Sequence, residues 1–405
     1  ECGECRSPHK IAAFGDSIYA VNSNGLFVAE ATAEDRIVGE SAQIQSNVVK
    51  LPKRSGESEL WPDLSALPAG WEPKDSELGQ GDDFFVGAYS WSSLLAPRVG
   101  LDHPVSELAG AIYKGNLSTG KGQVLVAPNP DNPRPVLGLS YDARTDYLFA
   151  AVGDPTTPSQ GIAVFNGTTG EMIDEVTIGD DLFLSNVLAT ESAVFATSTN
   201  RGGLFKMPLE EGGKLPSTPT FESIEMTGYD PPERPWIWGL AGAFDGKELV
   251  VIDGLNGTGD LYRVNTANGA STKIEIHGAQ KTFELGDELY LSDRTLYITQ
   301  VFADSVAVVQ LSDDLTEGTF IKTVECGECR SPHSIAAFGD SIYAVNSNVL
   351  FDAEAAAEDR IFGNPAQIQS NVVKLPKVSV ESELWPDLIS LPAGLEPKDI
   401  EMGQG

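Results

Sequence analysis

The chain contains one long segment twice. Residues 1–81, which begin ECGECRSPHKIAAFGDSIYAVNS, return as residues 325–405 at a constant offset of 324 residues. There are no gaps, and 67 of the 81 paired positions are identical, whereas residues 82–324 occur once. A period of this kind predicts a tandem array of one structural module. Because the chain starts at Glu1, we expect a processed chain or an excerpt of a longer one.

Between the two copies the sequence is typical of short strands and tight turns. The chain has 41 Gly and 25 Pro, and β-branched and aromatic residues occur in short runs. A strand–turn–strand pattern such as GLSYDARTDYLFAAVG recurs roughly every 45–55 residues, which is the period of a propeller blade. Five such modules follow residue 82, and IAAFGDSIYAVNS begins a sixth. We therefore predict an all-β fold: a six-bladed β-propeller with duplicated terminal segments, mostly four antiparallel strands per blade and very little helix.

Ring closure sets the predicted domain limits. The segment KRSGESE at 53–59 is charged and linker-like. The predicted divisions are a last-blade segment of a preceding propeller unit at 1–53, a linker at 54–58, the six-bladed propeller at 59–375, and a linker with the opening strand of a following unit at 376–405. In the alternative register, ELWPDLISL folds back as the fourth strand of its own blade. Either copy could then close the ring, and the other would be surplus.

Three substitutions between the copies fall near this linker. Polar or flexible residues of the first copy are replaced by β-branched ones in the second: Arg54, Gly56 and Ser65 by Val378, Val380 and Ile389. Val and Ile favour strands and gain free energy on burial. We expect the C-terminal copy to pack this region against protein, while the N-terminal one stays more solvated.

The charge of the chain excludes several classes of partner. There are 59 acidic residues against 27 basic ones, a formal net charge of −32. Nucleic acid and anionic membrane surfaces would be repelled, because both bind through Lys and Arg. No run of about 18 apolar residues occurs, so no membrane-spanning helix is expected. The acidity fits simple solubility, an extracellular setting or a cationic partner.

The four cysteines form two C-G-E-C pairs, Cys2 with Cys5 and Cys326 with Cys329. Three interpretations stay open. A structural disulfide, within a pair or between adjacent units, fits an extracellular chain. Zinc could be held by both pairs or by one pair with His9. A redox motif would need a βαβ context, which the pattern lacks.

Three N-x-[ST] sequons, at Asn116, Asn166 and Asn256, are glycosylation acceptors if the protein is secreted. Together with the paired cysteines they favour an extracellular location, secreted or at the cell surface.

Residues 84–350 resemble the senescence-marker-protein/gluconolactonase-like family of six-bladed propellers, in particular its microbial and fungal branch. The segments that carry the resemblance include FFVGAYSW, GLSYDARTDYLFAAVG and RTLYITQVFADSVAVVQL. The resemblance is specific for the fold and weak for activity, since propellers host many functions.

The resemblance implies a divalent cation, usually calcium, at the mouth of the central channel. Carboxylate and Asn oxygens hold it, and it polarises a lactone or ester carbonyl. The candidate ligands here are Glu77, Asn186 and Asp287. The match is incomplete, because Ser185-Asn186 replaces a stronger ligand pair and Trp238 stands where the family often has Asn. In the alternative interpretation these residues are turn and channel-lining groups without a metal.

No catalytic residue is predicted. The histidines are His9, His103, His277 and His333, and no G-x-S-x-G, H-E-x-x-H or P-loop motif occurs. The sequence favours a non-catalytic extracellular structural or adhesive module, repeated head to tail in a long chain or filament. Its expected partners are copies of itself or adjacent propeller units, and glycans or other extracellular proteins. The alternative function is a calcium-dependent hydrolase of lactonase or esterase type.

Overall fold

The structure of the chain is a computed structural model. Backbone and side chains are described for 74–89, 109–116, 119, 121–129, 131, 134–153, 160–180, 184–199, 203–229, 237–253, 259–283, 286–300, 303 and 305–324, and further strands outside these ranges are described by their backbone alone. Within the described residues the regular structure is entirely β, and no helix long and apolar enough to cross a membrane is found.

Five blades follow one another along the chain, each an antiparallel sheet whose first strand lies innermost. Blade 1 consists of β5 (Trp71–Leu78), β6 (Asp83–Ser90), β7 (Gly110–Asn116) and β8 (Lys121–Val126). Blade 2 consists of β9 (Val136–Asp142), β10 (Tyr147–Gly153), β11 (Ser159–Asn166) and β12 (Met172–Asp180). Blade 3 consists of β13 (Leu184–Ala189), β14 (Ala193–Ser198), β15 (Gly203–Pro208) and β16 (Glu222–Ile224).

The last two blades differ slightly from each other. Blade 4 consists of β17 (Ile237–Ala243), β18 (Glu248–Asp253), β19 (Asp260–Asn265) and β20 (Ser271–Lys273). Blade 5 consists of β22 (Gly286–Ser292), β23 (Thr295–Gln300), β24 (Ser305–Leu311) and β25 (Glu317–Glu325). A fifth strand, β21 (Glu275–His277), pairs in parallel with β25.

The duplicated segments form the strands at the two ends of the chain. The N-terminal copy holds β1 (Pro8–Phe14), β2 (Ser17–Ser23), β3 (Asn47–Pro52) and β4 (Glu59–Leu60). The C-terminal copy holds β26 (Pro332–Phe338), β27 (Ser341–Asn346), β28 (Leu350–Phe351), β29 (Ile361–Phe362) and β30 (Ser370–Pro376).

These strands do not form a separate four-stranded sixth blade. They join in one seven-stranded sheet of order β1-β27-β30-β2-β3-β4, with β26 on β27, while β28 and β29 pair with each other. The prediction of a β-propeller is confirmed, but the described part of the chain shows five blades rather than six. The reason is that strands of the two near-identical segments pair with one another in one sheet. The predicted domain limits stay predictions, and Val378, Val380 and Ile389 lie outside the described residues.

The hydrophobic core lies between neighbouring blades. Between blades 1 and 2, for example, Phe85 and Ile112 pack against Leu139 and Leu148. The second strand of each blade is covered on both faces, so that every residue of β14 and β18 is buried. A strand that is covered on both faces is expected to be apolar along its whole length rather than at alternate positions. The runs AVFA in β14 and LVVI in β18 show this pattern.

Candidate functional site

The innermost strands surround a cavity of about 720 Å³ in the central channel. Strands β5, β9, β13, β17 and β22 contact one another in sequence order, and each contributes residues to the lining. The lining runs from the middle of these strands to the turns that follow them, and includes Glu77, Tyr141, Asn186, Glu288 and Tyr290. The site is thus built from one element type, repeated around the channel.

Each of these inner strands carries a β-bulge near its start. The shifts in register lie between Pro73 and Asp75 in β5, Val136 and Gly138 in β9, Leu184 and Asn186 in β13, Ile237 and Leu240 in β17, and Gly286 and Leu289 in β22. A bulge re-aims side chains and increases the local twist. At the bulges the side chains therefore no longer point alternately to the two faces of the sheet. Several of the polar residues described next lie at these bulges.

At the bulges of blades 3 and 5, Asn186 and Glu288 meet across the channel. The Asn186 side-chain amide donates to Glu288 Oε2, and both residues are buried. The Glu288 backbone N–H donates to Thr299 Oγ1 at 2.9 Å. The hydrogen bond to Thr299 thus fixes the backbone position of Glu288 at this contact.

Ser185 and Thr197 bind the backbone of the next blade. Thr197 Oγ1 donates to the Trp238 carbonyl at 2.8 Å, and Ser185 Oγ lies 3.2 Å from the Ile237 carbonyl. The Trp238 carbonyl lies within the bulge of β17, where the Thr197 hydroxyl supplies a hydrogen-bond donor. Ser185 therefore has a structural task between blades 3 and 4.

An ion pair joins blade 5 to blade 1. Lys74 Nζ lies 2.7 Å from Asp287 Oδ2, with side chains that are only 15% and 7% exposed. The two residues are 213 positions apart. The neighbouring Asp75 accepts hydrogen bonds from the backbone N–H groups of Ser76 and Leu139, which links blade 1 to blade 2. The charged residues at this bulge thus connect blade 1 with blade 2 and with blade 5, the last of the five blades.

The cavity is acidic. Glu77 and Glu288 lie in its interior and the exposed Glu191 and Asp245 at its rim, and no Lys or Arg is among the described residues that line it. Burial, with the negative charge of Glu77 as a second cause, raises the pKa of Tyr290. A potential of this sign favours cationic groups over anionic ones.

The structure brings two of the three predicted metal ligands together. Glu77 and Asn186 both line the cavity, whereas Asp287 is engaged by Lys74 and the neighbouring Glu288 faces Asn186. Calcium requires several oxygen ligands, and an ammonium group beside one of them opposes a dication. The described arrangement therefore does not fit calcium bound at Asp287. Among the described residues, no group of three or more His, Cys, Asp or Glu is arranged to hold a metal ion.

The remaining predicted sites are distributed at the periphery or lie outside the described residues. Asn116 and Asn166 stand at turns between the third and fourth strands of blades 1 and 2. Their Oδ1 atoms accept backbone N–H groups, at 3.0 Å from Thr119 and 2.7 Å from Thr169. Asn256 and all four cysteines lie outside the described residues.

Sequence reasoning missed Lys74 and Glu288. Glu288 is adjacent to the predicted Asp287 in GDEL, and the bulge decides which of the two points to Asn186. Lys74 belongs to EPKD, whose copy at 396–399 retains the Lys and Asp. The presence of this Lys-Asp pair in both copies is the feature of the sequence that could have drawn attention to Lys74.

The fold was compared with known proteins. It is similar to the periplasmic gluconolactonase PpgL of Pseudomonas aeruginosa, with a TM-score of 0.53 and 14% identity over 80% of this chain and 86% of that chain. It is also similar to U3-55K, with a TM-score of 0.51 and 10% identity over 85% and 90% of the two chains. A functionally unknown protein of Desulfotomaculum acetoxidans gives a TM-score of 0.50 and 10% identity, over 84% and 98%. No protein-family model matches the chain, and no curated protein matches it. The likenesses support a gluconolactonase-like propeller fold, and at these identities they show the fold alone.

Proposed function

We propose that the chain is a non-catalytic propeller module that acts by binding other macromolecules. The observation that carries this proposal is the Lys74–Asp287 ion pair. At the position where the family resemblance implies a metal-ligating carboxylate, an ammonium group already neutralises Asp287. A metal bound there would have to displace the Lys74 ammonium group from Asp287.

We further propose that the closed ring has six blades and that the chain belongs to the microbial and fungal branch of gluconolactonase-like propellers. Strand β26 contacts both β22 of blade 5 and β5 of blade 1. These two contacts support the proposal of a sixth blade between blade 5 and blade 1. The family likeness of the sequence supports the assignment to the branch.

The setting that we propose is extracellular, with the 324-residue unit repeated head to tail in a filament. The duplication supports repetition, because one ring needs one closing segment and the chain contains two. The paired cysteines, as disulfides, and the sequons support a secreted or cell-surface location. At Asn116 and Asn166 only the Oδ1 atom is used by the turn, so Nδ2 stays available for a glycan. Partners would be adjacent units, glycans or other extracellular proteins, including cationic ones that suit the acidic cavity.

A calcium-dependent lactonase or esterase is the second candidate. Glu77, Asn186 and Glu288 line one cavity and together offer carboxylate and amide oxygens. A cation held by these oxygens could polarise a carbonyl group there.

An assay with simple lactones and esters in millimolar calcium separates the two functions. We expect no turnover from the wild type, and none from Lys74→Met, in which Asp287 is released. Thr272→Ala, at an exposed position of β20, is the control for effects of expression and purification on the measured activity. Turnover that is abolished both by a chelator and by Asn186→Ala would overturn the proposal and establish the hydrolase.

A further inference from the structure

Within each duplicated segment three strands pair with one another in the same order and register. In the N-terminal copy Ile11 pairs with Ala20 and Ile18 with Leu51. In the C-terminal copy the pairs are Ile335 with Ala344 and Ile342 with Leu375, which is the same register at the offset of 324 residues. Even the bulge recurs, between Pro8 and Lys10 in one copy and between Pro332 and Ser334 in the other. Each copy is thus equipped to be the same blade.

Both copies lie beside blade 1 at the gap, and β26 also contacts β22 of blade 5. Strands β1 and β26 both contact β5, and they contact each other. The copies are joined where β30 of the C-terminal copy pairs with the second half of β2, on the same side as β3, for example Val372 with Ala20. One gap between blades 5 and 1 therefore receives two candidate blades.

The connections allow either copy to reach the gap. The C-terminal copy follows blade 5 through residues 326–331, between Glu325 and Pro332. The N-terminal copy precedes blade 1 through residues 61–70, between β4 and Trp71. The gap has blade 5 on one side and blade 1 on the other, so each copy is attached to one of its two walls.

We infer that the two copies are interchangeable closing blades, and that the copy left over in one molecule can close the open ring of a second copy of this chain. A free three-stranded blade has unpaired edges, which favour pairing with a complementary sheet. The surface that would receive the surplus copy consists of the faces of β22 and β5 on either side of the gap. In a closed ring, the copy that closes it covers these faces. This inference rests on the duplication and the strand pairing, and it holds equally for a binding module and for an enzyme.

Proline substitutions in the full chain test whether the copies are interchangeable. Tyr19 in β2 and Tyr343 in β27 are equivalent, and each is paired on both sides, so Pro there breaks a central strand. We expect Tyr19→Pro and Tyr343→Pro each to keep the melting transition of the wild type, because the intact copy closes the ring. Val250→Pro in β18, a central strand without a duplicate, is the control and should abolish that transition.

Mixing experiments test closure in trans. The double variant Tyr19→Pro/Tyr343→Pro has an open ring, and we expect it to form an equimolar complex with the wild type in light scattering. It should form none with Tyr19→Pro, which has no surplus copy. If the wild type and the double variant do not associate, closure in trans is wrong. If either single variant loses the melting transition of the wild type, the copies are not interchangeable. This result does not depend on whether the double variant folds. Lactonase activity enters none of these measurements, so their failure is distinct from failure of the proposed function.

Discussion

The pKa of Tyr141, near the end of β9, depends on the groups around its hydroxyl. Its hydroxyl donates to Asp146 Oδ1 at 3.0 Å, and its ring lies 5.3 Å from that of Phe85. Burial, and after it the hydrogen bond to Asp146, raises the pKa of Tyr141 from about 10 to about 12. The neutral phenol is the form that the fold stabilises.

This shift predicts a dependence of stability on alkaline pH. Above pH 10 the unfolded chain releases the Tyr141 proton while the folded chain retains it, so unfolding becomes more favourable as the pH rises towards about 12. The contribution is complete below pH 10 and is lost above it. We expect Tyr141→Phe to have a flatter decline of unfolding free energy over this window, as measured by chemical denaturation. Asp146→Asn keeps an acceptor but removes the charge, and it should lower the pKa of Tyr141 only in part. A decline as steep in Tyr141→Phe as in the wild type would contradict the assignment.

At the scale of the element, the turn between the third and fourth strands uses Asn in the same way in three blades. Asn116, Asn166 and Asn265 each accept a backbone N–H group of the turn at Oδ1. Asn265 is not part of a sequon, because Asn-Thr-Ala follows there. Asn is therefore required by the turn itself, which needs a short acceptor at its first residue. In blade 2 the turn closes at Gly170, whose φ is +74°.

Substitutions at Asn166 separate the turn from the sequon. Asn166→Ala removes an acceptor from the Thr168 and Thr169 amides and should lower the unfolding free energy by about 1 kcal/mol. Asn166→Asp abolishes the sequon but keeps the oxygen acceptor, so we expect stability near that of the wild type. Asn265→Ala should cost more in urea denaturation than Asn166→Ala, because Asn265 Nδ2 also donates to Glu248 Oε1 at 3.0 Å. An Asp variant as unstable as the Ala variant would show that the oxygen acceptor is not what the turn needs.

The strands could largely be predicted from the sequence, but the bulges could not. Alternating and apolar runs such as YLFAAVG become strands because two blade faces cover them, and this pattern is local. A bulge depends on the partner strand as well. Whether Asp287 or Glu288 meets Asn186 is set by the pairing of β22 with β23, where both residues lie opposite Thr299. Asp287 was therefore identified as a channel residue, whereas its partner Lys74, distant in sequence, was not.

At the scale of the molecule, neighbouring blades are fastened by a recurring contact. Lys114 in blade 1 lies over the Phe85 ring and donates to the Gly167 carbonyl of blade 2. Lys206 in blade 3 lies over the Phe195 ring and donates to the Thr266 carbonyl of blade 4. Each contact joins the third strand of one blade to the turn of the next. At both of these junctions the chain continues directly from blade to blade, which it does not do at the gap between blades 5 and 1.

The Lys74–Asp287 ion pair lies beside that gap, so it reports on closure of the whole ring. Its strands β5 and β22 both contact β26, which stands between blade 5 and blade 1. Removing one partner leaves the other charge in a poorly solvated channel, and we expect Lys74→Met or Asp287→Asn alone to cost about 2–4 kcal/mol of unfolding free energy. The double variant should cost less than the sum of the single ones, because no uncompensated charge remains. The pair Lys273–Asp260 has a similar distance, 2.6 Å, but its Lys side chain is 57% exposed. Lys273→Met should therefore cost about 0–1 kcal/mol. Denaturant titrations of all four variants give the comparison, and a Lys74→Met as mild as Lys273→Met would mean that the channel is open to water and that blades 5 and 1 are not held together by charge.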